Sequence, residues 1–153
     1  MWCCGAENLV GSMSLDECFE KGLIRKGRVD KHKIHGSLKL TEHFLKRAEG
    51  NYKMGYYDVA LLMAYNSIFH TARALLFSKG YSERSHSCLI LFLKKEFANT
   101  DLIEYIQTTD NYRILREMVQ YSGESCSDKD AKEAIDDAKN FFEKTMFFLK
   151  PIL

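Results

Sequence analysis

The stretch "AYNSIFHTARALLFSKG", residues 64–80, decides the fold, because it reads as one long helix that is apolar over most of its surface. Asn66, His70 and Arg73 interrupt that pattern at spacings of four and three, which places all three on one stripe of the helix. A core helix seldom has such a stripe. The residues alone leave two interpretations open: an edge that is hydrogen-bonded or faces solvent, and a functional site.

The rest of the chain predicts three more long helices and two short ones. Lys79 and Gly80 end the helix described above, because a basic last turn followed by glycine is typical of a helix C-terminus. Capping serines, terminating glycines and three-four apolar spacing delimit the others. The predicted helices lie at about 14–23, 38–54, 56–78, 86–97, 101–121 and 128–150, and residues 25–36 form a polar, basic connection.

These elements predict an all-α fold. With a single proline and no alternating β pattern, we expect an antiparallel up-and-down four-helix bundle with additional short helices. The length of 153 residues fits one domain, which we place at residues 13–153. Residues 1–12, "MWCCGAENLVGS", show no periodicity and precede a second methionine, so we interpret them as a tail or a cloning remnant.

Charge and cysteine content narrow the classes of protein. Lys and Arg number 22 and Asp and Glu 21, which argues against a protein that binds nucleic acid through a broad basic field, so any RNA contact must be local. The five cysteines form no C-x-x-C pair, which favours reduced thiols and a cytoplasmic location over a disulfide scaffold.

The sequence predicts neither a membrane segment nor a metal site. The most apolar run is interrupted by the polar stripe, and no signal peptide is evident at the N-terminus. His32, His35 and His43 straddle the end of the basic connection without convergent carboxylates, so we expect no metal, and nothing in the sequence implies a cofactor.

A second polar stripe lies on the helix predicted at 101–121. It consists of Arg113, Arg116, Glu117 and Gln120, with Tyr121 beside them. If this helix packs against the first, the two stripes line one groove, and arginine side chains suit such a groove to the phosphate of a nucleotide or an RNA backbone.

Three segments together resemble the HEPN (higher eukaryotes and prokaryotes nucleotide-binding) domain, in its small stand-alone prokaryotic form. They are "YDVALLMAYNSIFHTARALLFSKGYSERSHSCLILFLKKEF", "YRILREMVQY" and "AKEAIDDAKNFFEKTMFFLK". The resemblance implies a helical bundle that pairs into a homodimer. It also implies a minimal nucleotidyltransferase as the partner in a two-gene unit of the toxin–antitoxin kind.

Some members of this family are metal-independent ribonucleases with an R-x(4-6)-H motif, in which histidine moves a proton and arginine offsets phosphate charge. Here Arg116 is followed at the histidine position by Tyr121, and a phenol is a poor general base at neutral pH. Arg116 and Tyr121 remain the candidate catalytic residues, while Ser85 and His86 are expected to have structural roles at the start of a helix.

Three hypotheses follow. The first is a binding module for nucleotide, RNA or a nucleotidyltransferase. The second is a ribonuclease toxin that uses Arg116. The third is a purely structural dimer whose polar stripes form its interface.

Overall fold

A computed structural model of the protein describes residues 13–153, so our interpretation of residues 1–12 concerns a part of the chain outside it. Six helices and two short strands make up the described part, and the predicted all-α bundle is confirmed. In chain order they are α1 Leu15–Glu20, β1 Ile24–Lys26, α2 Lys31–Lys53, α3 Tyr57–Ser78, β2 Tyr81–Glu83, α4 His86–Glu96, α5 Ile103–Tyr121 and α6 Asp128–Leu149.

Helix α3 is the central element of the bundle. It packs against α2, α6, α5 and α4, most extensively against α2 and α6. By length and composition α3 could also span a membrane, but most of it is buried inside the bundle, as in any core helix. Where α2, α3 and α6 meet, small residues such as Ala48, Ala64 and Ala134 are fully buried, which allows the helices to approach closely.

Local signals in the sequence set several helix ends as expected. The hydroxyls of Ser14, Ser85 and Ser127 each accept a hydrogen bond from the backbone N–H three residues later, and these bonds begin α1, α4 and α6. Gly80 follows α3 with a φ of +82°, a left-handed conformation that glycine adopts without strain. The predicted boundaries of α3, α4 and α6 are therefore confirmed to within a residue or two.

Helix α2 begins earlier than predicted. The sequence suggested a start after Ser37, whereas the helix starts at Lys31 and its capping residue is Asp30, whose carboxylate accepts a hydrogen bond from the N–H of His32. Basic residues in a first turn oppose the helix dipole, so local sequence disfavours a helix start at this position. Burial of Ile34 against the core stabilises the additional turns.

A small two-stranded antiparallel sheet was not predicted. Strand β1 pairs with β2, with Ile24 opposite Glu83 and Lys26 opposite Tyr81. Each strand has only three residues, too few to show an alternating pattern. This sheet holds the start of the basic connection against the end of α3.

The expectation of reduced cysteines is wrong for one pair. Cys18 of α1 and Cys88 of α4 form a disulfide, and both are fully buried. They are 70 residues apart in the sequence, a separation at which spacing carries no pairing signal. Within residues 13–153, Cys126 is the free cysteine, and burial raises the pKa of its thiol to about 11.

Candidate functional site

Helices α3 and α5 bring polar residues from both predicted stripes to one cavity. Asn66 of α3 and Arg116 and Gln120 of α5 line a space of about 150 Å³, together with Leu62 and Met63. The two helices are in direct contact, and one of the three residues of the α3 stripe meets two residues of the α5 stripe there. This cavity, which we call the Arg116 cavity, is the candidate site.

Arg116 is the central charge of this cavity. The residue is only 8% exposed, and its guanidinium carbon lies 4.8 Å from the centre of the Tyr65 ring. Among residues 13–153, its buried Nε has no hydrogen-bond partner and its charge has no carboxylate in ion-pair contact. A buried cation without a counter-charge is costly. An anion in the cavity would relieve that cost.

Tyr65 connects Arg116 to His86. The Tyr65 hydroxyl and His86 Nδ1 are 2.9 Å apart in a buried hydrogen bond, and the imidazole stacks on Phe69 at 3.8 Å between ring centres. Burial, followed by the positive charges of Arg116 and Arg113, lowers the pKa of His86 to about 3. His86 is therefore a neutral imidazole at physiological pH, and α4 supplies it as its first residue.

His70 lies one turn along α3 from Asn66 and is held by aromatic rings. Its imidazole stacks in parallel on Phe44 of α2, with 5.5 Å between ring centres, and meets the edge of Phe69. Burial, and then the charge of Arg73, lowers the pKa of His70 to about 4. Nδ1 of His70 is buried without a hydrogen-bond partner among the described residues.

Arg73 forms an ion pair with β2. Its Nε lies 2.7 Å from Oε1 of Glu83, whose side chain is almost fully buried. Burial raises the pKa of the Glu83 carboxyl, and the Arg73 charge opposes that rise. Arg73 also lies 5.1 Å from the centre of the Phe77 ring. It therefore belongs to the same stripe as Asn66 but is already paired.

Arg113 is also neutralised. Its guanidinium contacts Asp110 at 3.1 Å and Glu117 at 3.3 Å, both on the same helix. Glu117, a predicted ligand-binding residue, thus serves as the counter-charge of Arg113. Arg113 still contributes positive potential near His86.

Tyr121 does not join the cavity. It is 53% exposed at the end of α5 and is not among the residues that line the Arg116 cavity. The pairing of Arg116 with Tyr121 suggested by the sequence spacing therefore has no geometric support within one chain. Ser85 caps α4, the structural role expected for it.

Tyr65 is a residue of this cluster that the sequence did not single out. It precedes Asn66 in the chain and is almost fully buried. Only the three-dimensional structure shows that its ring faces Arg116 while its hydroxyl binds His86. Residues 13–153 contain no group of three or more His, Cys, Asp or Glu side chains that could hold a metal ion.

Known proteins show similarity to much of the chain. The family model described as "HEPN domain" matches residues 34–146. A Methanocaldococcus jannaschii protein named "putative toxin" is 29% identical over 126 residues, which cover 80% of this chain and 93% of that protein. A second protein of that name from the same organism is 32% identical over 88 residues, or 54% of this chain and 60% of the relative.

A third relative is a UPF0332 protein of Pyrococcus horikoshii. It is 36% identical over 78 residues, which make up 51% of this chain and 51% of that protein. The chain thus spans well under two thirds of the length of two of these three relatives and nearly all of the other.

Proposed function

Because the chain belongs to the HEPN domain family, we propose that it is a toxin-like module that binds the phosphate of a nucleotide or RNA in the Arg116 cavity. One observation supports this most strongly: a buried guanidinium without a counter-charge among residues 13–153 lines a cavity with two side-chain amides. Arginine can bind phosphate through two N–H groups at once, and the amides of Asn66 and Gln120 can donate to the remaining oxygens.

Binding is favoured over catalysis by the state of the nearby groups. His86 is neutral and engaged by Tyr65, and a base with a pKa of about 3 takes up a proton weakly at neutral pH. Tyr121 is exposed at the end of its helix. The cavity therefore offers groups that hold an anion in place and no poised acid–base pair.

Titration of 5′-AMP and of a short RNA into the protein by calorimetry tests the proposal. A charge-assisted hydrogen bond contributes about 1.5–3 kcal/mol to binding, so Arg116→Ala is expected to lower the affinity for both ligands by roughly 10- to 100-fold. Arg47→Ala is the matched control, since Arg47 is an exposed arginine on α2 outside the cavity. Because the Arg116 charge is unpaired in the described chain, its removal is expected to leave the melting temperature unchanged or higher.

Two results would overturn the proposal. One is wild-type protein that binds neither ligand, and the other is Arg116→Ala that binds both as tightly as the wild type. A variant that melts much earlier than the wild type would assign Arg116 a structural role, and Arg116→Lys, which keeps the charge, would then be expected to restore stability without restoring bidentate binding.

A metal-independent ribonuclease is the second candidate function. The observation that favours it is the position of Tyr65 between Arg116 and His86, which places an imidazole close to the proposed phosphate site. Bound phosphate would raise the pKa of His86 by opposite charge. Growth arrest on induction in a bacterial host, lost in both Arg116→Ala and His86→Ala, would favour this function, whereas growth without arrest would favour binding alone.

We also propose that the protein acts as a homodimer and as one half of a two-gene unit with a nucleotidyltransferase. Ile114, Met118 and Tyr121 of α5 are large apolar residues exposed at spacings of four and three, a stripe that suits a helix–helix contact. Ile114→Lys with Met118→Lys is expected to produce a monomer in light scattering. Co-expression with a neighbouring nucleotidyltransferase would test the second partner, which should co-purify.

A further inference from the structure

We propose that the basic segment from Lys21 to Lys39 is a second docking surface, which holds the backbone of a single-stranded RNA whose phosphate occupies the Arg116 cavity. This inference rests on the proposed function and extends it from a single phosphate to a strand. Its basis is the charge of the segment, the exposure of its side chains and its position at the far end of the α3 stripe.

Charge is concentrated in this segment. It contains seven Lys or Arg and one Asp, a net charge of +6, in a chain whose formal net charge is +1. The remaining residues therefore carry a net −5. A nearly neutral composition thus conceals one strongly basic segment of the chain, whose charged residues are Lys21, Arg25, Lys26, Arg28, Lys31, Lys33 and Lys39.

These charges are available to a ligand. All seven side chains are exposed, and within the described chain none of them forms an ion pair. The acidic residue of the segment, Asp30, is engaged as the cap of α2. Lysines that serve only solubility are commonly interspersed with carboxylates, as Lys129 and Lys132 of α6 are.

The start of α2 adds to the positive potential. Its first turn contains Lys31 and Lys33 and no acidic residue, so basic side chains sit at the end of a 23-residue helix where the dipole is already positive. This arrangement opposes helix stability. It is favourable when a phosphate lies over the helix N-terminus.

The basic segment reaches the α3 stripe through Lys33. Lys33 lies 5.8 Å and Arg73 lies 5.1 Å from the centre of the same ring, that of Phe77. Asn66, His70, Arg73 and Phe77 follow one another on α3 at spacings of four, three and four. At a rise of about 1.5 Å per residue the stripe covers roughly 16 Å, more than a single phosphate can bridge.

The occupant is a nucleic-acid strand, because the Arg116 cavity and the basic segment both suit phosphate groups and lie too far apart for a single phosphate to reach both. A linear ligand with phosphates at regular intervals can place one in the cavity and others on exposed lysines of the segment. An acidic protein or an anionic membrane would use the basic segment without the cavity. The experiment separates these cases.

The test compares three proteins with the wild type: Arg28→Gln/Lys31→Gln/Lys33→Gln, the control Lys46→Gln/Lys95→Gln/Lys144→Gln, and Arg116→Ala. The control positions are exposed lysines outside the segment, without an ion pair among the described residues. The probes are 5′-AMP, a 5′-phosphorylated oligoribonucleotide of roughly ten nucleotides and phosphatidylserine vesicles, over about 50 to 200 mM KCl.

The basic-segment triple variant is expected to bind 5′-AMP like the wild type and the oligonucleotide at least about tenfold more weakly at low salt. Its plot of log affinity against log salt is expected to be shallower by about 2, since each single-strand phosphate contact contributes about 0.7. The control triple variant is expected to match the wild type. Circular dichroism melts verify that all variants are folded.

Oligonucleotide affinity that is unchanged in the basic-segment variant, or lowered equally in the control, overturns this inference. So does a variant that loses vesicle binding and retains RNA binding. If Arg116→Ala lowers the affinity for 5′-AMP in those cases, only this inference fails and the proposed function is retained. If Arg116→Ala binds 5′-AMP and RNA normally, the proposed function fails instead.

Discussion

Replacement of Arg73 by methionine is expected to destabilise the protein through the carboxylate that it leaves behind. Arg73 Nε is 2.7 Å from Glu83 Oε1, and the two side chains are 31% and 5% exposed. Methionine preserves much of the apolar contact with Phe77 but removes the charge. Glu83 would then be a buried carboxylate without its cation.

The magnitude follows from the burial of the pair. Loss of one partner from a fully buried ion pair costs about 3–5 kcal/mol, whereas an exposed pair contributes about 0–1 kcal/mol. Because nearly a third of Arg73 is exposed, water screens part of the interaction. We expect the free energy of unfolding to fall by about 2 kcal/mol, which for a domain of this size lowers the melting temperature by roughly 4–8 °C.

The loss of stability in Arg73→Met depends on pH, and the protonation of Glu83 determines whether the loss grows or shrinks as the pH rises. Burial raises the pKa of this carboxyl above its ordinary value of 4.5, and Arg73 opposes the rise. The folded protein then holds the proton more tightly than the unfolded chain, so this group lowers stability as the pH rises through the two pKa values. Without Arg73 the folded pKa rises further. The penalty of Arg73→Met is therefore expected to be largest near about pH 8 and smallest near about pH 4.

Urea and thermal unfolding of three variants at both pH values provide the measurement. Arg73→Met/Glu83→Gln removes the buried charge and is expected to recover most of the stability that Arg73→Met loses. Lys139→Met is the matched control, because Lys139 forms a 3.5 Å pair with Glu49 whose two side chains are 43% and 38% exposed. A penalty for Arg73→Met that equals the control, or that does not change with pH, would refute the reasoning.

Three further predictions concern the remaining structure. His70 and His86 are expected to show neutral imidazole signals by NMR from about pH 5.5 to 8, because their pKa values are lowered to about 4 and about 3. Since the unfolded chain takes up these protons first, both groups are expected to lower the free energy of unfolding as the pH falls below about 6.5. Imidazolium signals near pH 6 would contradict this. Reduction of the Cys18–Cys88 disulfide, which joins residues 70 apart, is expected to lower the free energy of unfolding by about 4 kcal/mol. Urea unfolding with dithiothreitol is compared with urea unfolding without it, and equal curves would contradict this prediction. Ser127→Ala removes the capping box of α6 and is expected to lower the free energy of unfolding by about 1 kcal/mol, and Ser127→Gly is expected to lower it by less. A Ser127→Ala thermal melt that coincides with that of the wild type would disprove this prediction.

Helix positions were predictable where local chemistry marks them. Ser85 and Ser127 identify helix starts through bonds to their own backbone, and Gly80 identifies an end, so neighbouring residues suffice to place them. The start of α2 was missed because lysines at its first turn conflict with the helix dipole, and burial of Ile34 decides the outcome. The disulfide and the two-stranded sheet depend on residues far apart in the chain, which spacing cannot reveal.

The candidate site was predictable as a set of residue types and less so as an arrangement. Periodicity grouped Arg113 with Arg116, yet the rotation of α5 buries Arg116 while Arg113 pairs with neighbours on its own helix. A rotation of this kind depends on the packing of α5 against α3. For the same reason Tyr65, an apolar-looking position, contacts the guanidinium.

The central position of α3 has a consequence for how ligands bind. Asn66, Tyr65 and the rest of the stripe belong to the most enclosed helix of the protein, so their conformational freedom is lost when the chain folds and not when a ligand arrives. Affinity in the cavity is then tied to the integrity of the whole bundle. Substitutions far from the cavity that loosen α3 would weaken recognition, even where they touch no ligand atom.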